Sequence, residues 1–181
     1  MFAKGLHLCH YRSLFGCITL VSDGESLTGL WFDSQSHFPT TLPDIFSESV
    51  CTTSHLPVFE DTIRWLDNYF AGRDPGFTPA LNPSGTDFQH RVWELVRRIP
   101  YGQTMSYGEI ARLLTEERNA DDALSGKKQS PVSARAVGQA LASNPILLIT
   151  PCHRVIGSDG RMHGFAGGLA RQAQLLTLER P

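Results

Sequence analysis

The sequence predicts an α+β protein in two parts, a small sheet-and-helix domain followed by a mostly helical domain. Three observations favour this fold class. β-branched and apolar runs flank an Asp-Gly pair near the N-terminus, a Pro- and Gly-rich connector lies near the middle, and several later segments have apolar residues at helical spacing. With 181 residues, the chain is long enough to bury a sizeable core.

The first elements are predicted to be strands. Residues 14–33 form two β-branched or apolar runs around Asp23 and Gly24, which is typical of two strands joined by a tight turn. Residues 34–56 are rich in Ser, Thr, Pro and His and have no clear period, so they predict a loop with room for a short helix.

A helix and a connector follow. Residues 57–71 have apolar side chains at helical spacing, and Gly72 is placed to end this helix. Residues 72–87 contain three prolines and three glycines. We therefore predict a domain boundary here, with one domain over 1–83 and a second over 84–181.

The charge of the chain changes sign at the same place. Up to Asp87 there are ten acidic and four basic residues, a net charge of −6, whereas twelve basic and eight acidic residues beyond it give +4. The total of −2 lacks the basic excess common in nucleic-acid-binding proteins, but the second domain alone has the sign that suits DNA.

Composition excludes several classes of protein. Hydrophobic residues at 41% and charged residues at 19% are typical of a globular chain, not a disordered one. No apolar run approaches 18 residues and no signal-peptide pattern is found, so no membrane contact is expected. The four cysteines form no C-x-x-C pair, which favours a reduced, cytoplasmic protein, or a nuclear one in a eukaryote.

A zinc site near the N-terminus is not expected. His7, Cys9, His10 and Cys17 lie close together in sequence, but their spacing matches no common zinc finger or ribbon. The alternating run CITLVS instead predicts that Cys17 is a core residue of a strand.

Four helices are predicted in the second domain, over residues 88–99, 106–114, 133–143 and 169–180. Ser106 and Glu109 have the spacing of a capping box. The polar stretch from Thr115 to Ser130 predicts a long, flexible turn, in which Lys127 and Lys128 could contact phosphate.

The helices over 106–114 and 133–143 resemble a helix-turn-helix pair. The second of them consists almost entirely of small residues, with Arg135 as its one long charged side chain. Two interpretations remain open. It is either a buried packing helix, or a helix whose small residues let it approach DNA closely so that Arg135 can enter the base stack.

The pentapeptide Pro-Cys-His-Arg-Val carries the strongest chemical signal. Residues 146–150, ILLIT, predict a short buried strand leading into it. A thiolate is a nucleophile, and a histidine can take its proton. Because adjacent strand residues point to opposite faces, Cys152 and His153 must lie on a turn or communicate through a water. Glu179 is the one carboxylate in the last helix that could orient the histidine. The alternative is a buried cysteine beside a surface histidine.

Three segments together resemble the O6-alkylguanine-DNA alkyltransferase family: IPYGQTMSYGEIA, RAVGQA and NPILLITPCHRVIGSDGRMHGFAGGLARQAQLL. The motif cysteine lies eight residues after Asn144. The likeness covers residues 84–180 almost continuously, whereas the first 83 residues fit only the family's general plan. It implies a ribonuclease-H-like N-terminal domain with a structural role and a winged-helix-like, helix-turn-helix domain that holds the cysteine.

This resemblance implies DNA repair by direct reversal. The alkyl group on O6 of guanine, and also on O4 of thymine, would move irreversibly to the protein's own Cys152, once per molecule. His153 would deprotonate Cys152 through a water and Glu179 would orient His153. Asn144 would brace the turn, and Tyr107 would contact the phosphate of the flipped nucleotide and offer a proton to guanine.

The resemblance also implies the DNA contacts and the pocket. Arg135 would fill the gap left by the extruded base, and Ser158 and Tyr107 would contact DNA. The alkyl pocket would be lined by Leu147, Phe165, Ala166 and Gly167. The expected partner is double-stranded DNA containing O6-alkylguanine, approached from the minor groove by a monomer. No cofactor is expected, and no metal, since Asp23 stands where some relatives have a zinc-binding cysteine.

Two other functions fit the sequence less well. Alkyltransferase-like binding proteins recognise the lesion without repairing it, but they lack the cysteine that this chain has at position 152. A helix-turn-helix regulator is disfavoured because the helix over 133–143 lacks side chains for contacts with base edges.

Overall fold

The structure is a computed structural model that describes residues 6–33, 35, 55–122 and 130–180. The loop predicted over 34–56 lies almost entirely outside these residues, and so do Lys127 and Lys128. Within these residues, the first domain contains a three-stranded antiparallel sheet in the order β1-β2-β3 and a helix. Its elements are β1 (His7–Ser13), β2 (Gly16–Ser22), β3 (Leu27–Phe32) and α1 (Pro57–Phe70).

The predicted pair of strands around Asp23 is confirmed, as β2 and β3. Asp23 itself organises the turn, because its Oδ1 accepts hydrogen bonds from the backbone N–H groups of Glu25 and Ser26. Its Oδ2 accepts a third from Asn82 at 2.9 Å. Sequence inspection missed β1, since histidine and arginine interrupt the alternation of this half-buried strand.

The position predicted for Cys17 was half right. Cys17 does lie in a strand, β2, but it is exposed and not part of the core. Ile18 and Leu20 fill the inward positions of β2. Cys17 therefore falls on the opposite face, as the two-residue period of a strand requires.

The predicted helix over 57–71 is confirmed as α1. Pro57 occupies its first turn, where a fixed φ and a missing N–H cost nothing. Gly72 follows the helix at φ 73°, the left-handed conformation that commonly ends helices. The buried face of α1 includes Phe59, Leu66 and Tyr69. Complete burial of each such side chain contributes about 1.5–3 kcal/mol.

The second domain is mostly helical, as predicted. It contains α2 (Asp87–Arg97), β4 (Met105–Ser106), α3 (Tyr107–Asp122), α4 (Ala134–Ala142), β5 (Val155–Ile156) and α5 (Leu169–Leu178). The capping box is confirmed, since Ser106 Oγ accepts from the Glu109 N–H and Glu109 Oε2 accepts from the Ser106 N–H. None of the helices in the described part of the chain is both long and apolar enough to cross a membrane.

The prediction that a turn begins at Thr115 is wrong, because α3 continues to Asp122. The Thr115 hydroxyl donates to a backbone carbonyl one turn earlier, at 2.7 Å, and so remains compatible with the helix. Arg112 and Glu116 form an i,i+4 ion pair at 2.7 Å. Glu and Arg favour helix without any apolar periodicity, so the polar composition concealed this extension.

The prediction of a strand over residues 146–150 is also wrong. These residues are buried, but they form turns. Ile146 makes a single parallel bridge to Leu30 of β3, and Leu148 then takes φ 68°. A short apolar run reports burial and does not by itself specify a strand. The Leu30 N–H donates to Pro145 O at 2.8 Å, so this segment is docked on the N-terminal sheet.

Candidate active site

The motif cysteine lies on a turn, one of the two arrangements that the adjacency of Cys152 and His153 left open. Residues Cys152–Arg154 form one turn of 3-10 helix immediately after the docked segment. Cys152 is only 6% exposed to solvent, and His153 is fully buried. Both residues are therefore held by packing.

Asn144 spans this turn with its side-chain amide. Its Nδ2 donates to Thr150 O at 3.1 Å and to Cys152 Sγ at 3.2 Å, while its Oδ1 accepts from the Ile146 N–H at 3.0 Å. One buried amide thus fixes the backbone before the cysteine and the sulfur atom itself.

The thiol of Cys152 is neutral at rest. Burial raises the pKa of Cys152 to about 11, although the hydrogen bond from Asn144 acts in the opposite direction. A thiol with this pKa must lose its proton as part of the reaction, since little thiolate exists near neutral pH.

His153 is held through one of its two ring nitrogens. Nε2 lies 2.6 Å from Glu179 Oε1, and within the described ranges Nδ1 has no hydrogen-bond partner. Burial lowers the pKa of His153, against the raising effect of the Glu179 carboxylate. The ring is therefore neutral with its proton on Nε2, which leaves the Nδ1 lone pair as a base.

Glu179 caps the end of α5 and is the centre of a buried polar cluster. Arg154 donates to both carboxylate oxygens, from Nε to Oε2 at 2.8 Å and from Nη2 to Oε1 at 3.0 Å. The Gly102 N–H donates to Oε2 at 3.1 Å and the Tyr69 hydroxyl to Oε1 at 2.7 Å. Burial alone would raise the pKa of Glu179, but bonding to His153 and Arg154 lowers it to about 2.

Sequence reasoning missed three of these partners. Arg154 could have been found, because it directly follows the Cys-His pair. Gly102 lies in the segment IPYGQTMSYGEIA, which carries the family resemblance but gives no sign of this contact. Its φ is 74°, and a Cβ there would approach the Glu179 carbonyl oxygen to 2.8 Å. Tyr69 gave no signal beyond its place on the apolar face of α1.

The residues expected to contact DNA lie outside this cluster. Tyr107 begins α3, its hydroxyl donates to His163 O at 2.8 Å, and its ring lies beside Gly138 of α4. Arg135 and Ser158 are exposed. In the described residues no hydrogen bond or ion pair connects either of them to Cys152.

The expected pocket residues lie beside the histidine. The rings of Phe165 and His153 meet edge to face at 6.2 Å between centroids. The Phe165 ring covers Gly167 so closely that a Cβ there would come within 2.4 Å of it. Ala166 is half-buried and Leu147 is fully buried. Arg171 Nη1 donates to Gly167 O at 2.6 Å and anchors the loop.

Metal-binding side chains are not grouped in the part of the chain that the structure describes. No set of three or more His, Cys, Asp or Glu residues there could hold a metal ion. Of the four N-terminal candidates, Cys9 is buried in β1 and Cys17 is exposed on β2.

Two family models match almost the whole chain. The DNA binding domain of 6-O-methylguanine DNA methyltransferase matches residues 87–181, and the ribonuclease-like domain of the same family matches residues 7–83. The chain belongs to the 6-O-methylguanine DNA methyltransferase family. The predicted fold class, a ribonuclease-H-like domain followed by a helical DNA-binding domain, is thereby confirmed.

Members of this methyltransferase family are similar to the chain over nearly its full length. The methylated-DNA–protein-cysteine methyltransferase of Mycobacterium bovis is 39% identical over 176 residues, covering 96% of this chain and 93% of the relative. The protein of the same name from Haemophilus influenzae is 35% identical, covering 97% and 87%. The crystal structure of Mycobacterium tuberculosis OGT in complex with DNA is 39% identical with a TM-score of 0.72, covering 96% and 92%.

Proposed function

We propose that this methyltransferase-family protein repairs DNA by direct reversal, moving an alkyl group from O6 of guanine to Cys152. One observation carries the proposal. A buried thiol sits next to a neutral histidine whose Nε2 is fixed by a carboxylate and whose Nδ1 is free to accept a proton. The relatives are named for transfer from methylated DNA to a protein cysteine, which is the chemistry that such a thiol can perform.

The transfer is a displacement at carbon. The carbon–O6 bond breaks, a carbon–sulfur bond forms at Cys152 Sγ, and the electron pair of the broken bond stays on guanine. The thiol proton passes to His153 Nδ1 through a water. Guanine takes a proton from the Tyr107 hydroxyl, which is restored from His153 through solvent. The thioether has no simple reversal, so each molecule acts once and needs no cofactor.

Tyr107 carries its proton until the reaction takes place. Burial raises the pKa of Tyr107, with a smaller contribution from Cys152, so the hydroxyl is neutral. In the free protein it is bonded to His163 O, and DNA binding exchanges this acceptor for guanine. Protonating a leaving group speeds its departure, which is general acid catalysis.

The lesion must leave the duplex to reach Cys152. Flipping a nucleotide costs a few kcal/mol. Arg135, exposed on α4, fills the vacated stack from the minor groove, while Ser158 contacts the backbone. Gly138 and its small neighbours let α4 approach closely. The bound species is a monomer on double-stranded DNA containing O6-alkylguanine.

The alkyl group enters between the loop after β5 and the segment before the cysteine. Leu147, Phe165, Ala166 and Gly167 supply this pocket, with Phe165 packed on the His153 ring. A pocket formed by apolar side chains and backbone suits small alkyl groups on O6 of guanine, and also those on O4 of thymine.

Intact-protein mass spectrometry tests the proposal directly. One equivalent of an oligonucleotide containing O6-methylguanine should add about 14 Da to the protein, since a methyl replaces the thiol proton, and a proteolytic digest should locate this mass on the peptide with Cys152. Cys17→Ser, which removes an exposed thiol, serves as the matched control and should react like the wild type.

Cys152→Ser should lose the transfer and keep its affinity for DNA. Absence of the mass shift in the wild type, or a shift on Cys9, Cys17 or Cys51, would contradict the assignment of Cys152 as acceptor.

A further inference from the structure

The N-terminal domain contributes one polar group to the buried cluster at Glu179. Tyr69, near the end of α1, places its hydroxyl 2.7 Å from Glu179 Oε1 and 3.1 Å from His153 Nε2. Both partners belong to the other domain, 110 and 84 residues further along the chain. Among the described residues, Tyr69 is the only N-terminal side chain bonded to this carboxylate.

We propose that Tyr69 is a positioning residue for the transfer reaction. Its hydroxyl holds the Glu179 carboxylate in the orientation that keeps the proton of His153 on Nε2, so that Nδ1 remains the nitrogen that can accept the thiol proton. This inference rests on the proposed function of Cys152 and His153. It gives the ribonuclease-like domain a part in the chemistry beyond a structural one.

The ring of Tyr69 is packed against other rings on several sides, which fixes the position of its hydroxyl. It stacks on Trp65 at 5.1 Å between centroids with an interplanar angle of 10°. Phe70, Tyr101 and His153 meet it edge to face at 5.4, 6.0 and 6.2 Å. The residue is fully buried. A donor held this rigidly selects one orientation of its acceptor.

The hydroxyl acts as a donor and not as an acid or base. Burial, followed by the negative charge of Glu179, raises the pKa of Tyr69 well above its ordinary value. Tyr69 therefore keeps its proton throughout the reaction, and its O–H group donates a hydrogen bond to Glu179 Oε1. The oxygen of the same hydroxyl lies close enough to Nε2 to serve as a second acceptor for the histidine N–H.

Removing the hydroxyl has a defined electrostatic consequence. The Glu179 carboxylate loses one of the donors that disperse its charge, and it then stabilises a charged His153 more strongly. The pKa of His153 should rise, and the fraction of neutral base at a given pH should fall. The charged and titratable groups around His153 are Tyr69 from α1, Glu179 after α5, Cys152 and Arg154 from its own turn, and Tyr101 after α2.

Single-turnover kinetics with Tyr69→Phe provides the test. The rate of methyl transfer to Cys152 should fall roughly tenfold near pH 7.5, the scale of one hydrogen bond to a charged group. The acidic limb of the rate–pH profile should move to higher pH, which a loss of packing alone would not cause. The total methyl transferred per molecule should stay unchanged.

Tyr101→Phe is the matched control. It removes a hydroxyl from the same aromatic cluster, but that hydroxyl bonds to Leu178 O at 3.4 Å and not to Glu179. Its rate and its acidic limb should equal those of the wild type. A Tyr69→Phe protein with wild-type rate and limb would overturn the positioning role. A wild type that transfers nothing would instead overturn the function proposed for Cys152.

Nuclear magnetic resonance of the free protein gives a second readout that needs neither DNA nor the variant. The Tyr69 hydroxyl proton, buried against a carboxylate, should give a slowly exchanging downfield signal with an Overhauser contact to the His153 ring. Ring nitrogen shifts should show His153 protonated on Nε2. A His153 protonated on Nδ1, or a rapidly exchanging Tyr69 hydroxyl, counts against the proposal.

Discussion

The buried cluster around Glu179 and the exposed face of α4 differ in whether their polar groups are hydrogen-bonded within the folded protein. In the cluster, the carboxylate accepts from Tyr69, Gly102, His153 and Arg154. On α4, Arg135 extends into solvent. Groups already satisfied in the folded state contribute to stability and geometry, whereas an uncommitted cation can be used in binding. Substitutions should therefore separate folding from DNA affinity.

The largest expected effect follows from breaking the buried ion pair. Glu179→Gln keeps the shape of the side chain but leaves the Arg154 guanidinium buried without its counter-charge. It should lower the free energy of unfolding by about 3–5 kcal/mol. Urea unfolding monitored by tryptophan fluorescence measures this.

Arg135→Ala tests the other region of this comparison, the exposed face of α4. Because Arg135 is exposed, this change should alter the free energy of unfolding by no more than about 0.5 kcal/mol. It should instead weaken binding to duplex containing O6-methylguanine more than binding to undamaged duplex. Equal losses of stability in the two variants would remove the distinction between the cluster and the α4 face.

An intermediate effect is expected from alkaline pH. The pKa of Cys152 is raised from 9.0 to about 11 in the folded protein. The unfolded chain therefore ionises this thiol first, and stability present below pH 9 is lost as the pH rises towards 11. Relative to Cys152→Ser, the wild type should lose about 1.4 kcal/mol per pH unit in this window.

Chemical unfolding at pH 8, 9 and 10 measures that difference. Cys17→Ser is the control, since it removes a cysteine that is exposed in the folded protein. The Cys17→Ser protein should keep the alkaline loss of the wild type. If the free energies of unfolding of the wild type and Cys152→Ser changed equally with pH, Cys152 would not be shielded from solvent.

The smallest expected effect is at Gly138, inside α4. An alanine there improves helix propensity by up to about 1 kcal/mol, and its Cβ would lie 3.8 Å from the Tyr107 ring, an ordinary contact. Gly138→Ala should thus raise the melting temperature slightly. It should also weaken DNA binding a few-fold, because a methyl group then separates the α4 backbone from DNA.

Thermal melting and fluorescence anisotropy with one labelled duplex measure both quantities. Gln139→Ala, an exposed position on the same helix, serves as the comparison for general effects of substitution. A more stable Gly138→Ala protein with unchanged affinity would mean that DNA does not approach this part of α4.

The sequence predicted elements better than it predicted their contacts. The strands around Asp23 and the helix that became α1 have strong local patterns, and both are confirmed. The segment over 146–150 failed because apolar composition reports burial without specifying backbone geometry. The extension of α3 beyond Thr115 was missed because ion pairs and propensity sustain a solvated helix without periodicity.

The candidate site shows the same division. The turn that holds Cys152 and His153 was one of two arrangements that could be inferred locally, because adjacent strand residues point to opposite faces. The contribution of Tyr69 could not, since it depends on packing between residues 110 positions apart. Gly102 was visible as a glycine, but its backbone donation to Glu179 exists only in the folded chain.

The order of the cluster along the chain has a consequence for protein synthesis. Tyr69, His153 and Arg154 all precede Glu179, the acceptor that they share. A polypeptide growing from its N-terminus therefore possesses the donors before it possesses the carboxylate that binds them. The thiol of Cys152 is translated before Glu179, so under the proposed function this thiol can accept an alkyl group only after Glu179 has been added.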